Sequence, residues 1–168
     1  MYSFQIFDEA CVKYNWATVL VGLKLNCYPV EEVDDYAVRY MTEHPDTDNN
    51  FIQELVWENR NYEEVITLIE NLLIDLKCNI NFLLEERKWR YCILHAIRKD
   101  TEDGNVLLEK VAQVYSDFNY PEVMEDLIYY NEPKDGFNPL LHTTDENINR
   151  LIKKIDDFLA LEKIRISS

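Results

Sequence analysis

The sequence predicts an all-α fold, an irregular array of about eight or nine amphipathic helices packed as antiparallel neighbours on short connections. Three observations lead there. Only three glycines, Gly22, Gly104 and Gly136, occur in 168 residues, too few for the tight turns of a β-sandwich or a nucleotide-binding α/β fold. Apolar residues make up 47% of the chain and recur at i, i+3, i+4 and i+7, the period of a helix with one buried face. Helix-capping side chains stand at the heads of several of these segments. The length suits one domain over 1–168, with 163–168 left as a tail.

Ser3 is placed to cap a first helix reaching about Tyr14, with Ile6, Phe7, Ala10, Cys11 and Tyr14 inward. Asn15 caps a short second helix whose stripe is Trp16, Val19, Leu20 and Leu23. Pro29 suits the first turn of a third, and Glu31, Glu32, Asp34 and Asp35 crowd its start, where the helix dipole favours negative charge. His44-Pro45 ends it. Another short helix spans Phe51–Trp57, and Asn61 with Glu64 caps a strong one over Tyr62–Leu76. Its predicted inner residues are Val65, Leu68, Ile69, Leu72, Leu73 and Leu76. After Asn79 and Asn81 comes a central helix to Lys99, with Trp89, Cys92, Ile93, Ala96 and Ile97 as its stripe. Tyr91 and Leu94 widen that stripe, so neighbours are expected on more than one side.

Asp103-Gly104 breaks the chain before a helix from Asn105 to about Asp117. Phe118-Asn119-Tyr120-Pro121 is a tight turn, and Pro121 opens a helix carrying Val123, Met124, Leu127 and Ile128. Pro133–Pro139 is the longest loop. Thr143 and Glu146 form a capping box for a last helix built on Ile148, Leu151, Ile152, Ile155, Phe158 and Leu159.

Charge is distributed in blocks. The net charge is −15. Residues Glu31–Asp75 hold thirteen acids against Arg39 and Arg60, and Asp100–Glu146 hold twelve against Lys110 and Lys134. Between them, Arg87, Lys88, Arg90, Arg98 and Lys99 outweigh Glu85 and Glu86. A basic helix thus separates two acidic blocks, and its expected place is internal, with its cations paired to flanking acids. Such a surface disfavours nucleic acid and anionic membranes and favours capture of a basic protein. No run is apolar enough to span a bilayer, and Asp8 and Glu9 interrupt any signal-peptide core, so a cytoplasmic protein is expected. Cys11, Cys27, Cys78 and Cys92 lack CxxC spacing and read as buried free thiols.

No motif announces an enzyme. His44, His95 and His142 belong to no metal-binding pattern, and there is no phosphate-binding glycine loop. Cys92 and His95 lie one turn apart, with Arg98 on the same side, but Cys92 falls in the core stripe, where desolvation opposes a thiolate. The expectation is no catalytic residue, no cofactor and no metal. The acids Glu122, Glu125 and Asp126 read as a solvated face rather than a cation site. Eleven tyrosines and three tryptophans exceed what the core needs, and several tyrosines stand beside acids. Tyrosine supplies contact area at low entropic cost, which suits an interface. The alternative is that half or more are core residues with the hydroxyl at the rim. The candidate partner-binding residues are Asp34, Asp35, Tyr36, Glu122, Glu125, Asp126, Tyr129 and Tyr130.

The segment from Val114 through Tyr115, Asp117, Phe118, Tyr120 and Pro121 to Pro133 resembles a bacterial family catalogued as domain of unknown function 2247. Weaker likeness extends to Trp16–Leu25, Val30–Tyr40 and the helix containing Trp89. Small acidic bacterial proteins of this type resemble immunity proteins, which neutralise toxins, many of them basic nucleases, in the producing cell. The resemblance brings no catalytic residue with it. It implies a non-catalytic protein-binding module for a basic toxin. A structural or regulatory helical protein with no toxin partner, including a homodimer, is the competing expectation, and an enzyme with a site assembled from distant residues is the third.

Overall fold

The computed structural model describes residues 1–57 and 61–167, and among them every regular element is helical. The α-helices are α1 (Gln5–Glu9), α2 (Trp16–Lys24), α3 (Val33–Glu43), α4 (Asn50–Leu55), α5 (Tyr62–Asp75), α6 (Phe82–Asp100), α7 (Gly104–Asp117) and α8 (Thr144–Ser167). Tighter 3-10 turns cover Val30–Glu32, Glu122–Leu127 and Pro139–Leu141. The chain forms two compact units, Met1–Trp89 and Arg90–Ser168, and the boundary falls inside α6.

In the first unit α2 and α4 both pack on α5, and α3 packs on α4. Asn15 caps α2 by accepting from Ala17 and Thr18 N–H, while Thr18 Oγ1 accepts from Asn15 N–H. Asn61 and Glu64 form the same reciprocal arrangement on α5. Each box satisfies backbone donors that the helix itself cannot. Trp16–Leu23 are buried without interruption, so α2 is an internal helix rather than a one-faced one. Its ties to α5 are Tyr62 Oη donating to Leu23 O at 3.3 Å and Lys24 pairing with Glu70 at 2.6 Å.

The core of this unit is aromatic. Trp89, fully buried, stands edge-on to Phe7 (4.7 Å, 81°) and tilts against Phe4 at 5.5 Å. Trp89 Nε1 donates to Thr18 O at 2.8 Å. The indole lies against Gly22 so closely that a Cβ there would stand 2.4 Å from Trp89 Cζ2. Gly22 is required by this approach.

In the second unit α7 packs on α8, and the 3-10 turn Glu122–Leu127 packs on both. Asp103 caps α7 by accepting from Val106 N–H, and Gly104 is its first residue, with Ile148 Cγ2 2.4 Å from where a Cβ would be. Thr143 and Glu146 close the capping box of α8, with Thr143 N–H donating to Glu146 at 2.7 Å and Glu146 N–H to Thr143 Oγ1 at 3.2 Å.

The basic helix is internal along its middle, where Trp89–Leu94 are all buried. Three of its cations, Lys88, Arg90 and Arg98, are paired, with acids that differ from those expected. Lys88 pairs with Glu85 of the same helix at 2.7 Å, and Glu85 also accepts from Thr18 Oγ1 at 2.6 Å. Arg90 meets Glu162 at 3.6 Å, and Arg98 donates twice to Asp156. The partners of Arg90 and Arg98 are therefore on α8, outside both acidic blocks.

Several local expectations are corrected. The first helix ends at Glu9, not near Tyr14, because Cys11 takes a left-handed backbone (φ 51°), and Cys11 is exposed. Of the other cysteines, Cys27 and Cys92 are buried and Cys78 is intermediate. Leu76 lies outside the core because α5 ends one residue earlier and Lys77 turns left-handed (φ 50°). The element after Pro121 is 3-10, and α8 runs on to Ser167, with Ser168 outside the described residues.

Candidate functional site: an acidic groove in the second unit

Two consecutive left-handed residues, Asn119 (φ 59°) and Tyr120 (φ 58°), reverse the chain after α7 and deliver Pro121 to the start of its 3-10 turn. A 3-10 helix repeats every three residues, so i and i+3 share a line. Met124 and Leu127 form the inward line and are buried. Glu122 and Glu125 form a second line, Val123 and Asp126 a third; Glu122, Val123 and Asp126 are exposed, and Glu125 is half-buried. Packing of two apolar side chains thus sets three carboxylates outward. Ile128 is buried and ends the turn, after which Tyr129 and Tyr130 stand exposed, edge-to-face at 5.1 Å. Asn131 Nδ2 donates back to Glu125 O at 3.2 Å and fixes the exit.

The loop that follows is fastened to α8. Asp135 accepts from Arg150 Nη2 at 2.6 and 2.8 Å and pairs with Lys154 at 3.0 Å. Arg150 also lies over the Phe137 ring, 4.1 Å from its centre, and Phe137 stacks on His142 at 4.5 Å. Asn147 Nδ2 donates to Pro139 O at 3.0 Å. The hydrogen bonds from Lys154 and Arg150 hold the Asp135 carboxyl well below the usual carboxylate range. A depressed folded pKa stabilises above the unfolded value, about 3.9, and that contribution is lost as pH falls through the folded pKa. Asp135→Asn is therefore expected to speed amide exchange in Lys134–Asn138 at neutral pH and to remove the acid-side sensitivity of that loop below about pH 4. Hydrogen exchange at two pH values checks this; unchanged exchange would show that the clamp does not order the loop.

Between α7, the 3-10 turn, this loop and α8 lies a groove of about 280 Å3. Leu108, Ile128, Ile148, Leu151 and Phe137 give it apolar walls, and Glu109, Glu125, Asp126 and Glu132 set carboxylates along it. Arg150 is the one cation among its lining residues, and it is already held by Asp135. Lys134 pairs with Glu125 at 2.5 Å, which raises the lysine's pKa. Tyr129 lines the groove, and Pro139 at its edge leads into Leu140 and Leu141, 92% and 78% exposed.

The expected site residues divide accordingly. Glu125, Asp126 and Tyr129 line the groove, while Glu122 and Tyr130 are exposed on the same turn and its exit. Asp34 and Asp35 sit in the first turn of α3, in the first unit. Tyr36 is corrected as an aromatic anchor. It is buried, edge-on to Trp16 at 4.6 Å, and desolvation raises its phenol pKa. Tyr28, Tyr91 and Tyr115 are buried as well, so the rim-and-core alternative accounts for part of the tyrosine excess. Asn131 and Glu132, directly after the tyrosine pair, also line the groove, whereas Glu109 and Arg150 were not singled out from the sequence. These last two belong to the site through the packing of α7 against α8, which leaves no local signal. The exposed Leu140-Leu141 pair was the available clue.

A concavity in the first unit, lined by Cys11, Tyr14, Arg39, Tyr40 and His44 among others, sets Lys13 and Arg39 against Asp8 and Glu43 and so has no charge preference. Cys92 is fully buried, which leaves its thiol no route to a substrate. Among the described residues, no group of three or more His, Cys, Asp or Glu side chains is placed to hold a metal ion, and no helix is long and apolar enough to cross a membrane.

Fold and site together define an all-α protein with an acidic, aromatic-edged groove. The chain belongs to the bacterial family described as "Uncharacterized protein conserved in bacteria (DUF2247)", which it matches over residues 4–163. No curated protein and no solved structure matches it.

Proposed function

We propose that this protein is a non-catalytic binding module that neutralises a basic bacterial toxin, in the manner of an immunity protein. The observation that carries this reading is the groove: four carboxylates, of which Glu125 is paired with Lys134, against one arginine held by Asp135, bordered by the exposed Tyr129–Tyr130 pair. Exposed tyrosines ringed by acids give a partner both contact area and long-range attraction. Lys88, Arg90 and Arg98 of the basic helix face acids within the fold, at Glu85, Glu162 and Asp156. That pairing relieves self-repulsion and supports an acidic rather than a phosphate-binding surface.

The test is capture from the native organism at low salt, released by a salt step and identified by mass spectrometry. The expected result is one basic protein whose association slows as ionic strength rises, because exposed charges are screened beyond about 8–10 Å. The Tyr129→Ala/Tyr130→Ala variant is expected to release it faster, with a loss of about 2 kcal/mol if the pair is a hot spot. Recovery of nothing, or only of a second copy of the chain, would defeat the toxin reading and favour a self-associating helical module.

A further inference from the structure

We infer that the groove between α7, the Glu122–Leu127 turn and α8 is a docking site for a short partner segment in which an apolar side chain is bracketed by lysine or arginine. This deepens the reading above and rests on it for the partner's basic character. The groove has two layers with different chemistry. Its walls are apolar, with Leu108 and Ile128 6% and 3% exposed. Its carboxylates, from Glu109 on α7 and Asp126 and Glu132 beside the turn, are on exposed residues. At about 280 Å3 it falls just under the roughly 300 Å3 at which pockets begin to take drug-sized ligands. It suits one or about two side chains rather than a cofactor.

Charge complementarity selects the occupant. An apolar side chain alone would leave the carboxylates without a counter-charge. A cation alone would be drawn against the apolar walls and forfeit hydration. A segment that alternates the two satisfies both layers, with the apolar residue as the desolvated centre and the cations at the solvated rim. One further feature points the same way. Leu140 and Leu141, immediately after the lining residue Pro139, expose apolar surface that a bound segment would cover.

The groove is tested with the full chain and a dye-labelled peptide of two central leucines flanked on each side by a pair of lysines. Fluorescence anisotropy is expected to show binding about tenfold or more tighter than for the same peptide with serines for leucines or glutamates for lysines. Asn105→Trp and Thr144→Trp each place bulk at the groove from an exposed position. Both are expected to weaken binding about tenfold, as is Glu109→Lys/Glu132→Lys. Equal affinity for the leucine and serine peptides, or undiminished binding by both tryptophan variants, would overturn the inference. The two readings fail separately. A captured toxin held equally well by the wild type and by both tryptophan variants keeps neutralisation and removes the groove. Leucine-dependent peptide binding with no toxin in the organism keeps the groove and removes neutralisation.

Discussion

Replacing Glu162 by alanine is expected to cost about 3–5 kcal/mol, the penalty for removing one partner of a buried ion pair. Glu162 is 1% exposed in the second unit, against Arg90 at 3.6 Å, itself 5% exposed, and Arg165 at 3.1 Å. Arg165 is half-exposed and can turn to water; Arg90 is enclosed. The loss comes from the enclosed Arg90 giving up this carboxylate more than from the missing bond itself, so it separates from the value of the pair. A double replacement, Arg90→Met with Glu162→Leu, removes both charges at similar volume and is expected to recover most of the stability. Urea denaturation of the two proteins and the wild type measures both quantities. A Glu162→Ala protein as stable as wild type would mean that this pair is not enclosed.

Trp89→Ala is expected to be as damaging, at about 3–5 kcal/mol. The indole is fully buried against Phe4, Phe7 and Tyr28, and its N–H serves Thr18 O. Truncation opens a cavity and removes the indole's hydrogen bond to Thr18 O. The same contact is probed from the other side by Gly22→Ala. There the new methyl meets the indole at 2.4 Å, and overpacking of a filled core costs about 1–3 kcal/mol or more. Alanine is otherwise the better helix former by about 1 kcal/mol. A destabilised Gly22→Ala protein therefore reports the close approach; a stabilised one would contradict it.

These two sites show how far the sequence could be read. Helix starts were legible where a side chain serves its own backbone, as at Asn15, Asn61 and Thr143, since capping is decided within four residues. The stripe through Trp89, Cys92 and Ile93 was legible from its apolar spacing, and Tyr91 and Leu94 correctly announced burial on more than one side. What failed was tertiary. Nothing near Tyr36 announces that Trp16 and Phe4 enclose it, and its position after Asp34 and Asp35 made it look like a surface aromatic. Cys11 was lost to a left-handed turn that cysteine rarely adopts. Half of the groove was legible from Glu125, Asp126 and Tyr129. The other half depends on Asp135 finding Arg150 and Lys154 across a loop, a match of distant residues that no local pattern encodes.

Neutralisation through the acidic, tyrosine-bordered groove is measured by growth rescue. The protein captured at low salt is expressed in a susceptible bacterium, alone and together with this chain or its Tyr129→Ala/Tyr130→Ala variant. The captured protein is expected to arrest growth, the wild-type chain to restore it, and the double-alanine variant to restore it less at equal abundance. A captured protein that is harmless alone, or one neutralised equally by both forms, would contradict neutralisation through the groove.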